Sequence, residues 1–114
     1  MHKIEKTDKG YDITLTRGDS LPLELELSRN GEPYIPDPAA ELRFAMKAKY
    51  KDPDEEAVIV KSIPVDTLLL LIQPEDTKGL VMGKTYVYDI QLTDENGNVD
   101  TFIEGKWTVG NEVL

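Results

Sequence analysis

The stretch that most constrains the fold is residues 83–109, GKTYVYDIQLTDENGNVDTFIEGKWTV. Tyr86, Tyr88, Ile90 and Leu92 share one parity, with Val87, Asp89, Gln91 and Thr93 opposite. Further on, Val99, Thr101, Ile103 and Trp107 alternate with Phe102, Glu104, Lys106 and Thr108. Period-two patterning of this kind belongs to strands, not helices. Between the two runs lies Asp94-Glu95-Asn96-Gly97-Asn98. Asn-Gly accepts positive φ at both central positions of a type I′ turn, whose twist suits paired strands. A long β-hairpin follows.

The rest of the chain repeats the pattern. Tyr11, Ile13 and Leu15 alternate with Asp12, Thr14 and Thr16, and residues 17–20 then make a turn. Leu21, Leu23, Leu25 and Leu27 alternate with Pro22, Glu24, Glu26 and Ser28, which describes a strand with one buried face and one wet face. Pro22 cannot donate a ladder bond, so it belongs near a strand start or on an edge. Asn30-Gly31 marks another turn, and Pro33, Pro36 and Pro38 keep the following connection extended. Residues 41–50 contain good helix formers. The alternation of Leu42, Phe44, Met46 and Ala48 with Arg43, Lys47 and Lys49 nevertheless favours a strand.

Residues 51–56 read as a charged, mobile loop, residues 57–63 as a β-branched strand, and residues 68–72 as a short strand covered on both faces. Pro74, the acids Glu75 and Asp76, and Gly79 mark a single helical turn within residues 74–80. The expected fold is therefore all-β: an immunoglobulin-like β-sandwich of about seven or eight antiparallel strands with one short helical turn near residues 74–80. Its expected organisation is a flexible N-terminal tail over residues 1–10, with a short edge strand as the rival reading there, one domain over residues 11–110 and a C-terminal tail over residues 111–114.

Composition narrows the function. A formal net charge of −9 argues against nucleic acid, which needs Lys and Arg to displace counterions, and against an anionic membrane surface. With no cysteine there is no disulfide framework, thiolate metal site or catalytic thiol. No charged-then-apolar leader is visible, and the longest apolar run, residues 68–72, is far shorter than the roughly 20 residues needed to span a bilayer. A soluble protein is expected.

The candidate chemistry is thin. Arg17-Gly18-Asp19-Ser20 matches the integrin-binding tetrapeptide, but Gly-Asp-Ser is also what a turn between strands requires. Asp94, Asn96, Asn98 and Asp100 mimic alternating calcium ligands. A calcium loop wants glycine sixth and glutamate twelfth; those places hold Val99 and Gly105, so the hairpin explains more. The only histidine, His2, lies in the expected tail, so no Ser-His-Asp arrangement can be assembled. Carboxylates such as Glu24 with Glu26, or Asp54 to Glu56, are read as solvated faces. Tyr86, Tyr88 and Trp107 could form a sugar-stacking platform, although aromatics at inward parity are more often core. No catalytic, cofactor-binding or metal-ligating residue is assigned, and no cofactor is expected.

Three segments taken together carry a resemblance. They are residues 13–19 (ITLTRGD), residues 30–34 (NGEPY), and residues 74–80 (PEDTKGL) running into GKTYVYDIQL and GKWTV. In this order they resemble the small β-sandwich domains of tailed-phage and prophage structural proteins, akin to the N-terminal domain of baseplate upper proteins. The similarity spans residues 13–109, and its motifs are mostly turn and strand signatures. It implies a non-enzymatic virion structural or assembly protein of the tail, baseplate or neck. Such a protein is made in the bacterial host cytoplasm, contacts other virion proteins and forms a homo-oligomer. Baseplate upper proteins continue into a longer C-terminal region whereas this sequence stops at Leu114, so a stand-alone particle domain is expected. The alternative is a carbohydrate- or host-surface-binding β-sandwich module.

Overall fold

The computed structural model describes residues 1–113; Leu114, the end of the expected tail over residues 111–114, lies outside the described residues. The chain is all-β, with ten strands among the described residues, two of them only two residues long. A six-stranded sheet is built from β1 (His2–Lys6), β2 (Tyr11–Thr16), β10 (Val99–Gly110), β9 (Thr85–Thr93), β6 (Glu41–Lys47) and β7 (Ile59–Ile63), in that spatial order. A separate two-stranded ladder pairs β3 (Leu21–Glu24) with β8 (Leu69–Ile72), and β4 (Ser28–Arg29) forms a small hairpin with β5 (Glu32–Pro33).

Period-two patterning determines which face is buried. Leu42, Phe44 and Met46 of β6 and Tyr86, Tyr88, Ile90 and Leu92 of β9 all turn inward, and the helix alternative for β6 is not adopted. Leu21 and Leu27, with Leu70 and Ile72, supply the opposing layer of the same core, and Leu23 and Leu25 pack against it half-buried. Pro22 sits second in β3, whose only ladder partner among the described residues is β8, so its missing N–H is accommodated on an edge strand. At the centre, Phe44 packs 5.5 Å from Tyr88 and 5.9 Å from Trp107, ring centre to ring centre.

The structure departs from the sequence reading in several places. Residues 2–6 are not a free tail but strand β1, laddered antiparallel to β2 with Ile4 opposite Ile13. All five β1 side chains are exposed, so backbone bonds add this strand without any apolar alternation. The sheet is not wholly antiparallel: β10 runs parallel to β2, with Trp107 beside Ile13 and Val109 beside Leu15. Residues 21–27 keep their in–out alternation, yet the regular ladder ends at Glu24. Strand β8 is covered on one face only, since Leu71 is 45 % exposed. The charged loop is tied down: Lys47 Nζ reaches the Asp52 carbonyl (2.9 Å) and Asp54 (2.7 Å), and Asp54–Glu56 form one 3₁₀ turn.

Two Asn-Gly pairs fold differently. Asn30 (φ 53°) and Gly31 (φ 79°) are both left-handed, giving the two-residue primed turn between β4 and β5. In the long hairpin only Gly97 (φ 85°) is left-handed, not Asn96. There Gly97 N–H donates to the Asp94 carbonyl (3.0 Å) and Asp94 N–H to the Asn98 carbonyl (2.9 Å). This is a three-residue loop closed by glycine, not the type I′ turn. Asp94 selects it, because its Oδ1 accepts from the N–H groups of both Asn96 and Asn98.

The parity of β10 also breaks. Thr101 faces Gln91 and Ile103 faces Ile90, so Phe102 is an extra, bulged residue. Val99 and Thr101 therefore lie on the outer face with Gln91 and Thr93, while Ile103, Trp107 and Val109 are buried in the core and Phe102 packs against it half-buried.

The helical turn α1 (Pro74–Thr77) starts at the expected proline, with Gln73 N–H donating to Asp76 Oδ2 at 2.7 Å. The turn over residues 17–20 docks on it: buried Thr77 Oγ1 accepts from Gly18 N–H (2.8 Å). Among the described residues no helix is long and apolar enough to cross a membrane.

Candidate functional site

The structure places each sequence candidate in a structural setting. In the 17–20 turn, Arg17 Nε donates to Glu112 (2.8 Å) and Asp19 pairs with the N-terminal amine of Met1. The tetrapeptide is thereby engaged within the chain. Asp94 spends its oxygens on the N–H groups of its own loop, and Arg29 takes the Asp100 carboxylate at 2.8 Å. Among the described residues no three His, Cys, Asp or Glu side chains gather to hold a metal ion. His2 is exposed on edge strand β1.

Tyr86, Tyr88 and Trp107 are 3 %, 3 % and 0 % exposed. A ligand cannot stack on rings enclosed in the core, so the sugar platform in that form is overturned. The Tyr86 hydroxyl accepts from Val81 N–H at 3.1 Å, while the Tyr88 hydroxyl donates to the Tyr11 carbonyl at 2.5 Å. Burial is the largest cause of the upward push on the Tyr88 pKa.

Of the concave regions among the described residues, two combine a defined floor with convergent polar or apolar groups. The first is a depression of about 160 Å³ on the outer face of the six-stranded sheet, floored by Ala45 and ringed by Arg43, Lys47, Tyr50, Asp89 and Gln91. Small Ala45 stands between Val60 and Asp89 across the ladder, which leaves the hollow. Arg43 donates to Gln91 Oε1 (2.6 Å), and Gln91 Nε2 to Asp89 (3.3 Å). Burial raises the Asp89 pKa, Arg43 opposes it, and Glu104 adds to it. The ring presents donors and a carboxylate to polar groups, with Tyr50 exposed at its side.

The second is a cleft of about 540 Å³ between the layers. Its floor comes from Phe44, Tyr88, Ile90 and Ile103 of the large sheet, and its roof from Leu23, Leu25, Leu68 and Leu70. Ile4 and Tyr11 line it from β1 and β2, while Glu24, Glu26 and Asp66 are its charged lining residues. That size falls within the roughly 300–1,000 Å³ of ordinary ligand pockets. Sequence reading missed both regions. The leucine alternation predicts a buried face but not how far the two layers close over it.

Compared with known proteins, the chain matches no protein-family model and no curated protein.

Proposed function

We propose that this all-β domain is a non-enzymatic structural or assembly component of a tailed-phage or prophage particle, acting through protein–protein contacts in the tail, baseplate or neck. In this reading its two layers form an immunoglobulin-like sandwich and copies of the chain associate into a homo-oligomer. The resemblance of residues 13–109 to such particle domains supplies the context.

The observation that carries the reading is the edge strand β7. Among the described residues it is laddered only to β6, and it leaves Val60 59 % exposed, with Val58 beside it 45 % exposed. Sheet edges of monomeric proteins are commonly blunted by charges or proline, because an open apolar edge templates pairing with another chain. Edge β1 carries His2, Lys3 and Lys6, whereas the outward face of β7 presents Val60 and Ser62, and the strand's one charge, Lys61, is bonded to Asp76 and the Leu71 carbonyl. Pairing of β7 with a second copy would extend the sheet under two-fold symmetry.

Hydrogen exchange followed over a protein concentration series tests this. Amides of Ile59–Ile63 gain protection as concentration rises, and Val60→Lys abolishes the gain. Exchange at β7 that ignores concentration removes the proposed interface.

A second reading, a carbohydrate- or surface-binding module, draws on Tyr50, 62 % exposed beside Arg43, Asp89 and Gln91. Saturable glycan binding lost in Tyr50→Ala would favour it over assembly.

A further inference from the structure

The roof of the core is narrower than its floor. Among the described residues six strands make the floor and two make the roof, so β3 has β8 on one side and no described strand on the other. Leu25 N–H donates to the Leu68 carbonyl (2.8 Å), continuing the β3–β8 ladder past its regular end. In an antiparallel ladder, bonding direction alternates from residue to residue. With Leu25 bonded to that side, Leu23 and Leu21 bond there too, and Pro22, Glu24 and Glu26 direct their backbone groups outward. Pro22 has no N–H to offer, which confines the available donors to Glu24 and Glu26.

The interlayer cleft is lined by β3 together with Ile4 and Tyr11 of β1 and β2, and also by Leu68 and Leu70 across the β3–β8 ladder. Four consecutive residues, 23–26, line it, although their side chains alternate between half-buried and exposed. A cavity touches both faces of a strand when it runs beside the strand's edge. Half-buried Leu23 and Leu25 leave apolar surface open there, and the charged residues lining the cleft, Glu24, Glu26 and Asp66, are all acidic.

We infer that this cleft accepts an extended segment of a partner protein, added as a third strand beside β3. The segment places apolar side chains at alternate positions on the cleft floor and Lys or Arg at the intervening ones, against Glu24, Glu26 and Asp66. Strand addition gains affinity from main-chain bonds and specificity from alternate side-chain pockets. The acidic rim selects a basic strand over an acidic one. This inference rests on the assembly reading for the source of the partner, but it uses a different edge from β7.

The test is a titration of the ¹⁵N-labelled 114-residue chain with a synthetic peptide of alternating lysine and valine. Its glutamate-for-lysine counterpart is titrated in parallel. The lysine peptide produces saturable shifts at residues 23–26, Ile4, Tyr11 and residues 66–68, and the Glu24 and Glu26 amides become protected from exchange. Glu24→Lys with Glu26→Lys, both at exposed positions, weakens binding by about tenfold or more while Trp107 emission stays native. Equal binding of the acidic peptide, no saturable shift, or unchanged affinity in the double variant overturns the inference. Light scattering separates it from the assembly reading. A discrete oligomer that captures no peptide leaves self-assembly standing and sinks the strand site; capture by a strict monomer supports the strand site and removes self-assembly.

Discussion

Gly105 has room for no side chain. It lies opposite Tyr88 on β9, and its backbone is not in the left-handed region, so the constraint is space rather than conformation. A methyl group there would stand 1.9 Å from the Tyr11 carbonyl oxygen, against a carbon–oxygen contact of about 3.3 Å, so β2 and β10 must part by about 1.4 Å. The same carbonyl accepts the buried Tyr88 hydroxyl, which would lose its partner. Overpacking costs about 1–3 kcal/mol, and an unsatisfied buried hydroxyl about 1–3 kcal/mol. Gly105→Ala should therefore destabilise the fold by about 2–6 kcal/mol, a large part of the roughly 5–15 kcal/mol that holds a domain together. Urea unfolding followed through Trp107, the sole tryptophan, reads this directly. Tyr88→Phe alone should cost about 1 kcal/mol. If the two act through one hydrogen bond, the double variant loses less than the sum of the single variants. A Gly105→Ala protein within about 0.5 kcal/mol of wild type, or strict additivity with Tyr88→Phe, refutes the reasoning.

Further outcomes follow from the same geometry. Phe44→Ala removes a fully buried ring in contact with Tyr88 and Trp107 and should cost about 3–5 kcal/mol by urea unfolding. Gly97→Ala meets no neighbour within 4 Å but must hold φ 85°, so it should lose about 1 kcal/mol from conformation alone. Asp89→Asn and Glu112→Gln should respond to pH in opposite senses when melted between neutral and acid pH. Burial raises the folded pKa of Asp89, so its charge penalises the fold above that value and the penalty disappears below the unfolded one. Asp89→Asn therefore stabilises at neutral pH, and its advantage fades on acidification. Lys78 first, then Arg17, hold the Glu112 pKa low, so its contribution is complete above the unfolded value and is lost as pH falls through the folded one. Glu112→Gln is destabilised at neutral pH and converges on wild type in acid.

Much of the core was legible because period two is a property of the chain itself. Tyr86 to Leu92 and Leu42 to Met46 point inward as their parity demands. What could not be read depends on other parts of the chain. Strand β1 buries no side chain, so only its backbone partner defines it. The bulge at Phe102 inserts one residue and switches the face of Val99 and Thr101, which no local parity can report. The parallel contact of β10 with β2 joins opposite ends of the sequence. Asn96-Gly97 looked like Asn30-Gly31, and only the side chain of Asp94 separates the two turns. The cleft beside β3 arises from a two-stranded roof over a six-stranded floor, a mismatch that no leucine spacing announces.

The measurement that bears most directly on the proposed role is solution mass by light scattering behind size exclusion, over a concentration series with wild type and Val60→Lys in parallel. Assembly through β7 predicts a discrete, closed oligomer for wild type that falls to the monomer mass in the variant. A wild-type protein that stays monomeric at every concentration, or an oligomer indifferent to Val60→Lys, contradicts it.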